Sequence, residues 1–338
     1  HEGTSHSQTK AMEVLPANNI VHFTEYLHGG FDKQYPDHLP PRESWGTAEE
    51  FTEFYRRGHE LGHLMMPYTN TSWWCIGPKG PTFLREGEAA LSRRRDGSPM
   101  KESYAGNEGY RVSFWHPAVQ AAHRLTRRQM SRDYPSDVLL QDQVGARAWS
   151  YDFNPAAPTP TAWVDGLHSL SMEDAVEVPL ATEDGYDRVA QFESMLCGMA
   201  WSIVPSRGQR ESSRLIHRFP PGEWEIFPMM QYLAHDKAIF TLHDLGHFVT
   251  DQEILVHVLG LGYALSLDVS SEGLIRAERR EWLGWLDAVQ KAVCASYAGE
   301  PLRRFAYLDS VDGRRGAGLL SAQYGSVALI ANTGAQPA

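Results

Sequence analysis

Three acidic residues, Asp142, Glu183 and Asp244, each close a short apolar run in this 338-residue chain. Val138-Leu139-Leu140 stops at Gln141-Asp142-Gln143, and Val176-Glu177-Val178-Pro179-Leu180-Ala181 stops at Thr182-Glu183-Asp184-Gly185. Ala238-Ile239-Phe240-Thr241-Leu242 stops in the same way at His243-Asp244. Runs of this length that break into polar residues read as buried parallel strands whose C-terminal ends open into a site. Carboxyl groups gathered there suit glycoside hydrolysis. One attacks the anomeric carbon or activates water, a second protonates the leaving oxygen, and in retaining enzymes the two lie about 5–5.5 Å apart. A third stabilises the positive charge that develops at the anomeric carbon. The plainer reading of each acid is a cap on the following turn. Asp184 competes with Glu183 for the proton-donor role, because the sequence does not say which side chain faces the site.

A second constellation, His59-Glu60-Leu61-Gly62-His63, satisfies H-E-x-x-H. On one helix the two histidines would hold zinc while Glu60 activates its water, the chemistry of a metallopeptidase. The context is poor for it. Gly62 and Pro67 end the helix inside the motif and place His63 on the next strand, and Met66 and Thr69 stand where a longer zinc signature needs Gly and His. A zinc peptidase and a non-catalytic carbohydrate-binding barrel are therefore the alternatives to a glycosidase, which itself needs no metal or cofactor. Tyr68, Asn70, Glu25 and Asp32 lie at or after strand ends, where they would hydrogen-bond substrate hydroxyls. Trp73, Trp74, Trp149 and Trp163 are candidate sugar platforms, although core packing serves each equally well.

The elements that would carry these residues alternate. Ile20–Leu27 reads as a strand, and Thr47 with Glu50 forms a capping box before a helix bearing Phe51, Phe54, Tyr55 and Gly58 at helical spacing. Leu64–Tyr68 is the next strand. Residues 76–109 read as an inserted loop, Tyr110–Trp115 as a third strand, and Pro117 opens a helix to about Arg132. After the strand ending at Asp142 come a helix near Ala162–Asp174, the strand ending at Glu183, and a helix over 187–204. A sixth strand at Trp224–Met230 precedes the run ending at His243-Asp244. Then come a helix over Asp251–Gly260, a strand over Tyr263–Leu267 ending at Asp268, and an amphipathic helix over Glu278–Tyr297. This alternation predicts an α/β chain folded as a (β/α)8 barrel over residues 19–300 with long βα loops, and with active-site groups on the C-terminal strand ends. Residues 1–18 read as an irregular lead-in. Residues 301–338, with a strand at Ser326–Asn332, read as a short C-terminal β extension, the start of a small β domain.

Composition narrows the partners. A net charge of −11 argues against a nucleic-acid partner, and Arg93-Arg94-Arg95 reads as a solvated loop. No apolar run is long enough to span a bilayer. Cys75, Cys197 and Cys294 cannot all pair with one another and lack zinc-finger spacing. A secreted or periplasmic setting is favoured, with no signal pattern in the chain, which starts at His1 and is either processed or cut from a longer protein. The expected partner is an oligosaccharide or polysaccharide; oligomeric state is not readable.

Gly58–Asn70 resembles the second-strand region of alpha-amylase-type barrels, and Phe240–Asp244 is similar to their seventh-strand His-Asp end. Asp142-Gln143-Val144-Gly145 looks closer to endo-alpha-N-acetylgalactosaminidases and related glycosidase-like barrels. The resemblance spans roughly residues 19–270. It implies a retaining mechanism on an alpha-linked glycan, with Asp142 as nucleophile, Glu183 as acid/base, and Asp244 with His243 on the sugar in the transition state. Alpha-amylases carry Arg two residues before the nucleophile. Leu140 stands there in this chain, a departure that argues against close alpha-amylase kinship and against starch as substrate.

Overall fold

A computed structural model describes residues 3–76, 80–104, 106–199, 225–242, 252–267, 277–309 and 319–332. The chain divides into two compact units, one taking in residues 1–182 and 270–280, the other 183–269 and 281–338. His243, Asp244 and Asp268 lie outside the described residues.

The first unit opens with a helix where an irregular lead-in was expected. α1 (Ser5–Met12) is started by a reciprocal cap: the Thr4 hydroxyl accepts from the Ser7 amide, and the Ser7 hydroxyl accepts from the Thr4 amide. Such a cap, with Ala11 and Met12 buried, holds so short a helix. β1 (Ile20–Phe23) ends four residues before its expected limit. α2 (Ala48–Glu60) has the anticipated Thr47–Glu50 capping box. Its Phe51, Phe54 and Tyr55 are buried around Phe23, whose ring meets all three edge-on. Each such ring contributes roughly 1.5–3 kcal/mol by leaving water. Gly58 lets α2 pass close over the next strand, since a Cβ there would run into the Met65 side chain.

β2 (Leu64–Thr69) pairs in parallel with β1, Phe23 opposite Pro67. Proline fits this inner strand because the pairing on its other side begins only at Tyr68. β3 (Trp73–Cys75) leaves the parallel sheet. α3 (Pro81–Glu86) and a hairpin of β4 (Lys101–Tyr104) and β5 (Asn107–Arg111) then form within the stretch expected to be loop. Proline at the first turn starts α3, and Gly106, in the left-handed region at φ 81°, turns the hairpin. β5 pairs antiparallel with both β3 and β4, so Tyr110–Trp115 is not a third barrel strand.

α4 (Pro117–Asp133) leads to β6 (Leu139–Gln141), and α5 (Trp163–Ala175) to β7 (Leu180–Glu183). The strand expected from Val176 starts four residues later. Val176 is an exposed cap on α5, and only after Pro179 does the chain turn inward. Within this unit β1, β2, β6 and β7 are parallel neighbours in that order.

In the second unit β8 (Glu193–Cys197) stands where a helix over 187–204 was expected, and it pairs in parallel with β9 (Ile239–Thr241). The three apolar residues Met195–Cys197 are too few to distinguish strand from helix by period alone. Residues Met229–Ala234 are helical, not strand, and the strand expected over 263–267 is reduced to one parallel bridge between Thr241 and Ala264. The amphipathic helix runs over Ala277–Val289 and continues through a wider turn to Tyr297. β10 (Leu302–Tyr307), β11 (Leu319–Tyr324) and β12 (Val327–Asn332) form an antiparallel sheet whose Leu302, Ala322 and Tyr324 pack on Cys294 and Tyr297. The extension is thus part of this unit's core. The fold is mixed α/β with parallel strands, and eightfold closure is not among the described residues.

Candidate active site

The C-terminal ends of β2 and β6 bring four of the sequence-selected residues together in the first unit. Asp142, one residue past β6, is 9% exposed, and its Oδ2 accepts from the Tyr68 hydroxyl at 2.7 Å and from the Asn70 amide at 3.0 Å. Asp32, from the long loop after β1, accepts from the Tyr35 hydroxyl at 2.8 Å, and the Tyr68 hydroxyl lies 3.5 Å from the same oxygen. Two buried carboxylates therefore stand on either side of the Tyr68 hydroxyl. Burial pushes the Tyr68 phenol well above its usual range, and the nearby charge of Asp142 adds to the effect, with Tyr35 and Asp32 contributing. Tyr35 shifts the same way, chiefly by burial and then by Asp32. Both phenols stay protonated and act as donors at any working pH.

The Asn70 amide has only one sensible orientation. Its Oδ1 accepts from the Ser72 backbone amide at 2.9 Å and from the Ser72 hydroxyl at 2.8 Å, so the NH2 end must face Asp142. Ser72 escaped the sequence reading, although Asn-x-Ser at a strand end is an Asx-turn signal. Hydrogen bonds to a carboxylate favour its charged form. For Asp142 this works against its burial and the nearby Asp32, both of which favour the neutral form.

Behind the strand end, Gln141 reaches the opposite way. Its amide donates to Asp174 Oδ2 at 2.6 Å and its oxygen accepts from Ser171 at 2.7 Å. Asp174 Oδ2 also lies 2.7 Å from His123 Nε2, and Asp174 is ion-paired with Arg127 at 3.0 Å. This buried network ties β6 to α4 and α5, and fixes the residue that precedes Asp142. Past the strand, the Gly145 amide donates to Thr182 Oγ1 on β7 at 2.8 Å.

The backbone turns sharply beyond both candidate acids. Gln143 after Asp142 and Asp184 after Glu183 are left-handed, at φ 65° and 55°, and Asp32 is at 56°. Such non-glycine residues are strained by about 1 kcal/mol or more, and they gather at functional sites. Glu183 ends β7, directly after Thr182, the register partner of Gln141. In the second unit the Asp184 amide donates to the Cys197 carbonyl. Burial pushes the Cys197 thiol up to about 11, with Glu193, Glu183 and Asp184 adding to the rise against a lowering hydrogen bond with Thr241.

Other selected residues have different surroundings. Glu25 pairs with Arg42 at 3.6 Å. Trp74 is 1% exposed and meets Phe83 edge-on, so it is core rather than a sugar platform; Trp73 and Trp163 are equally buried. Trp149 is 54% exposed beside Tyr151, their ring centres 4.7 Å apart. The H-E-x-x-H residues do not gather. α2 ends at Glu60, Gly62 turns left-handed, and His59 Nε2 bonds Asp137 at 2.8 Å. Glu60 pairs with Arg56 and Arg57, while buried His63 faces the Met12 carbonyl at 3.2 Å. Among the described residues no group of three or more potential ligands is placed to hold a metal, and no helix is long and apolar enough to cross a membrane.

Residues 3–155 match a family described as a domain of unknown function (DUF6259). No curated protein matches the chain. Among solved structures, an alpha-N-acetylgalactosaminidase from Bifidobacterium bifidum superposes with a TM-score of 0.74 at 13% identity, over 98% of this chain and 51% of its own. An alpha-galactosidase from Thermus thermophilus gives 0.57 at 11% identity, over 96% and 63%. A maltogenic alpha-amylase from Thermotoga neapolitana gives 0.57 at 12%, over 97% and 81%. The chain thus spans about half the length of the bifidobacterial enzyme. At these identities the likeness is one of fold.

Proposed function

We propose that this chain carries the catalytic apparatus of a retaining glycoside hydrolase acting on an alpha-linked glycan. The observation that carries the reading is Asp142, a nearly buried carboxylate at a parallel strand end, with Tyr68 and Asn70 both donating to one of its oxygens. That the fold is shared with an alpha-N-acetylgalactosaminidase, an alpha-galactosidase and an alpha-amylase supports the choice of substrate class.

In this scheme Asp142 attacks the anomeric carbon as the bond to the leaving oxygen breaks, and Glu183 gives that oxygen its proton. Water then attacks the same carbon, passes a proton to the Glu183 carboxylate and releases Asp142. Tyr68 and Asn70 hold the attacking carboxylate in one orientation, which lowers the cost of reaching the transition state. Asp32, Glu25 and Asp184 are assigned to sugar hydroxyls, and Asp244 with His243 to the charge developing on the ring.

The test is nitrophenol release from a panel of alpha- and beta-linked nitrophenyl glycosides by the wild type and by Asp142→Asn. Release from an alpha-glycoside that Asp142→Asn abolishes supports the proposal. Hydrolysis of the same substrate by Asp142→Asn at the wild-type rate would refute the role of Asp142. Binding without hydrolysis across natural glycans would favour a carbohydrate-binding protein.

A further inference from the structure

The side-chain chain that begins at Asp142 does not stop at Ser72. The Ser72 hydroxyl, which faces Asn70, accepts from Arg147 Nη2 at 3.1 Å. Arg147 is 6% exposed, and its other terminal nitrogen donates to Glu102 Oε1 at 2.7 Å. The same Glu102 oxygen accepts from Arg111 at 2.6 Å, and the Tyr104 hydroxyl donates to Oε2 at 3.2 Å. The Arg147 guanidinium also lies 5.7 Å from the centre of the Tyr104 ring. Glu102 and Tyr104 belong to β4, and Arg111 to β5, the hairpin inside a stretch that reads as loop in the sequence.

Burying a guanidinium costs least where its donors are met; Nη1 and Nη2 of Arg147 have partners, while its Nε is buried with none among the described residues. The guanidinium has a consequence for the hydroxyl it touches. Once Arg147 donates to Ser72 Oγ, the single Ser72 proton must point elsewhere, to Asn70 Oδ1 at 2.8 Å or Gln143 Oε1 at 3.2 Å. Both acceptors flank Asp142. With that hydroxyl turned away, the Ser72 backbone amide alone would hold Asn70 Oδ1, and the Asn70 amide would be less firmly set against Asp142.

We infer that Arg147, clamped by Glu102, is a positioning residue that fixes the Asn70 amide on Asp142 through Ser72. The antiparallel hairpin is then a buttress for the reacting carboxylate. The catalytic meaning rests on the reading of Asp142 as nucleophile; the hydrogen-bond relay itself does not. Asp32 stands across the Tyr68 hydroxyl from Asp142, a second carboxylate beside the one whose titration is followed.

The experiment follows the carboxyl of Asp142 by NMR in protein carrying isotope-labelled aspartate, with Asp142→Asn identifying its signal. Arg147→Met removes the fork but leaves Glu102 paired with Arg111, so no charge is stranded. The Asp142 titration midpoint in Arg147→Met should rise by about one pH unit, a tenfold change and the size of one hydrogen bond to a charged group. On an aryl substrate kcat should fall about tenfold with KM held, and the acidic limb of the profile should move up with the midpoint. Arg147→Lys keeps the charge and loses the fork, so it should keep most of the shift; full restoration by Lys would assign the effect to charge and overturn positioning. An unmoved midpoint in Arg147→Met would overturn the relay. If that variant does not fold, Glu102→Gln, which loosens the clamp, should give a smaller shift of the same sign, and no shift there overturns it equally. A relay that behaves as expected in a protein whose Asp142→Asn variant still hydrolyses would sink the catalytic reading alone.

Discussion

His38 makes acid a selective reagent for the loop that carries Asp32. It lies in the loop that joins β1 to α2, its ring buried and edge-on to Tyr35 at 5.4 Å, and burial pulls its pKa down from 6.5 to about 4. A histidine with a depressed folded-state pKa favours folding while it is neutral. Its contribution is fully present above about pH 6.5 and is lost as pH falls toward the folded value. The difference of 2.5 units between 6.5 and about 4, at about 1.4 kcal/mol each, amounts to roughly 3 kcal/mol once pH is below both values. At about pH 5 the loss is already near 2 kcal/mol. Tyr35 sits in the same loop and donates to Asp32, so protonation of His38 should loosen the Asp32 side of the site before the whole unit unfolds. The assay is amide hydrogen exchange over residues 24–43, with urea unfolding, at about pH 7 and about pH 5 in the wild type and His38→Gln. The variant, which has nothing to titrate there, should lose about 2 kcal/mol less than the wild type between those two conditions. Equal pH dependence in the two proteins would refute the reasoning.

Three further outcomes are expected. Tyr68→Phe removes one of the two donors to Asp142 at nearly constant volume and should lower kcat on an aryl substrate by about 10- to 100-fold, since a hydrogen bond to a charged group contributes roughly 1.5–3 kcal/mol; a change under about threefold would show that Asn70 alone suffices. His59→Ala breaks only a half-exposed contact with Asp137, whose Oδ2 also accepts from the Met65 amide. Activity should therefore stay within about twofold of the wild type and be indifferent to chelator, and loss under chelation would revive a metal role. Gly262 is left-handed at φ 74°, and a Cβ there would meet the ring of His235, which bridges the Glu300 and Gly262 carbonyls. Gly262→Ala should destabilise the protein by at least about 1–2 kcal/mol in thermal or urea unfolding, and an unchanged transition would show that the turn can be remade.

Much of the site's frame is legible in the sequence, because local chemistry sets it. The Thr47–Glu50 box starts α2 where the residue types require, the Phe51, Phe54 and Tyr55 spacing marks its buried face, and Gly62 stops the H-E-x-x-H segment as expected. The strand ends at Asn70 and Asp142 also follow from abrupt loss of apolar character. What is not legible depends on contacts made at a distance. Strands β3 to β5 are short, β4 and β5 are rich in charge, and only their pairing makes them a sheet. Trp74 and Trp149 look alike in sequence, but one is core and the other exposed, which neighbours decide. Arg147 and Glu102 lie 45 positions apart, and no local pattern announces that they meet. The run at Glu193–Cys197 is too short for its period to separate strand from helix.

The central claim is that Asp142 forms a covalent bond to the sugar. A fluorinated alpha-glycosyl fluoride, matched to the sugar that the aryl panel selects, slows hydrolysis of the intermediate enough to trap it, and peptide mass spectrometry then locates the label. One glycosyl group per chain is expected on the peptide containing Asp142, absent in Asp142→Asn. A label on any other carboxylate, or turnover of the reagent with inversion and no adduct, would contradict that claim.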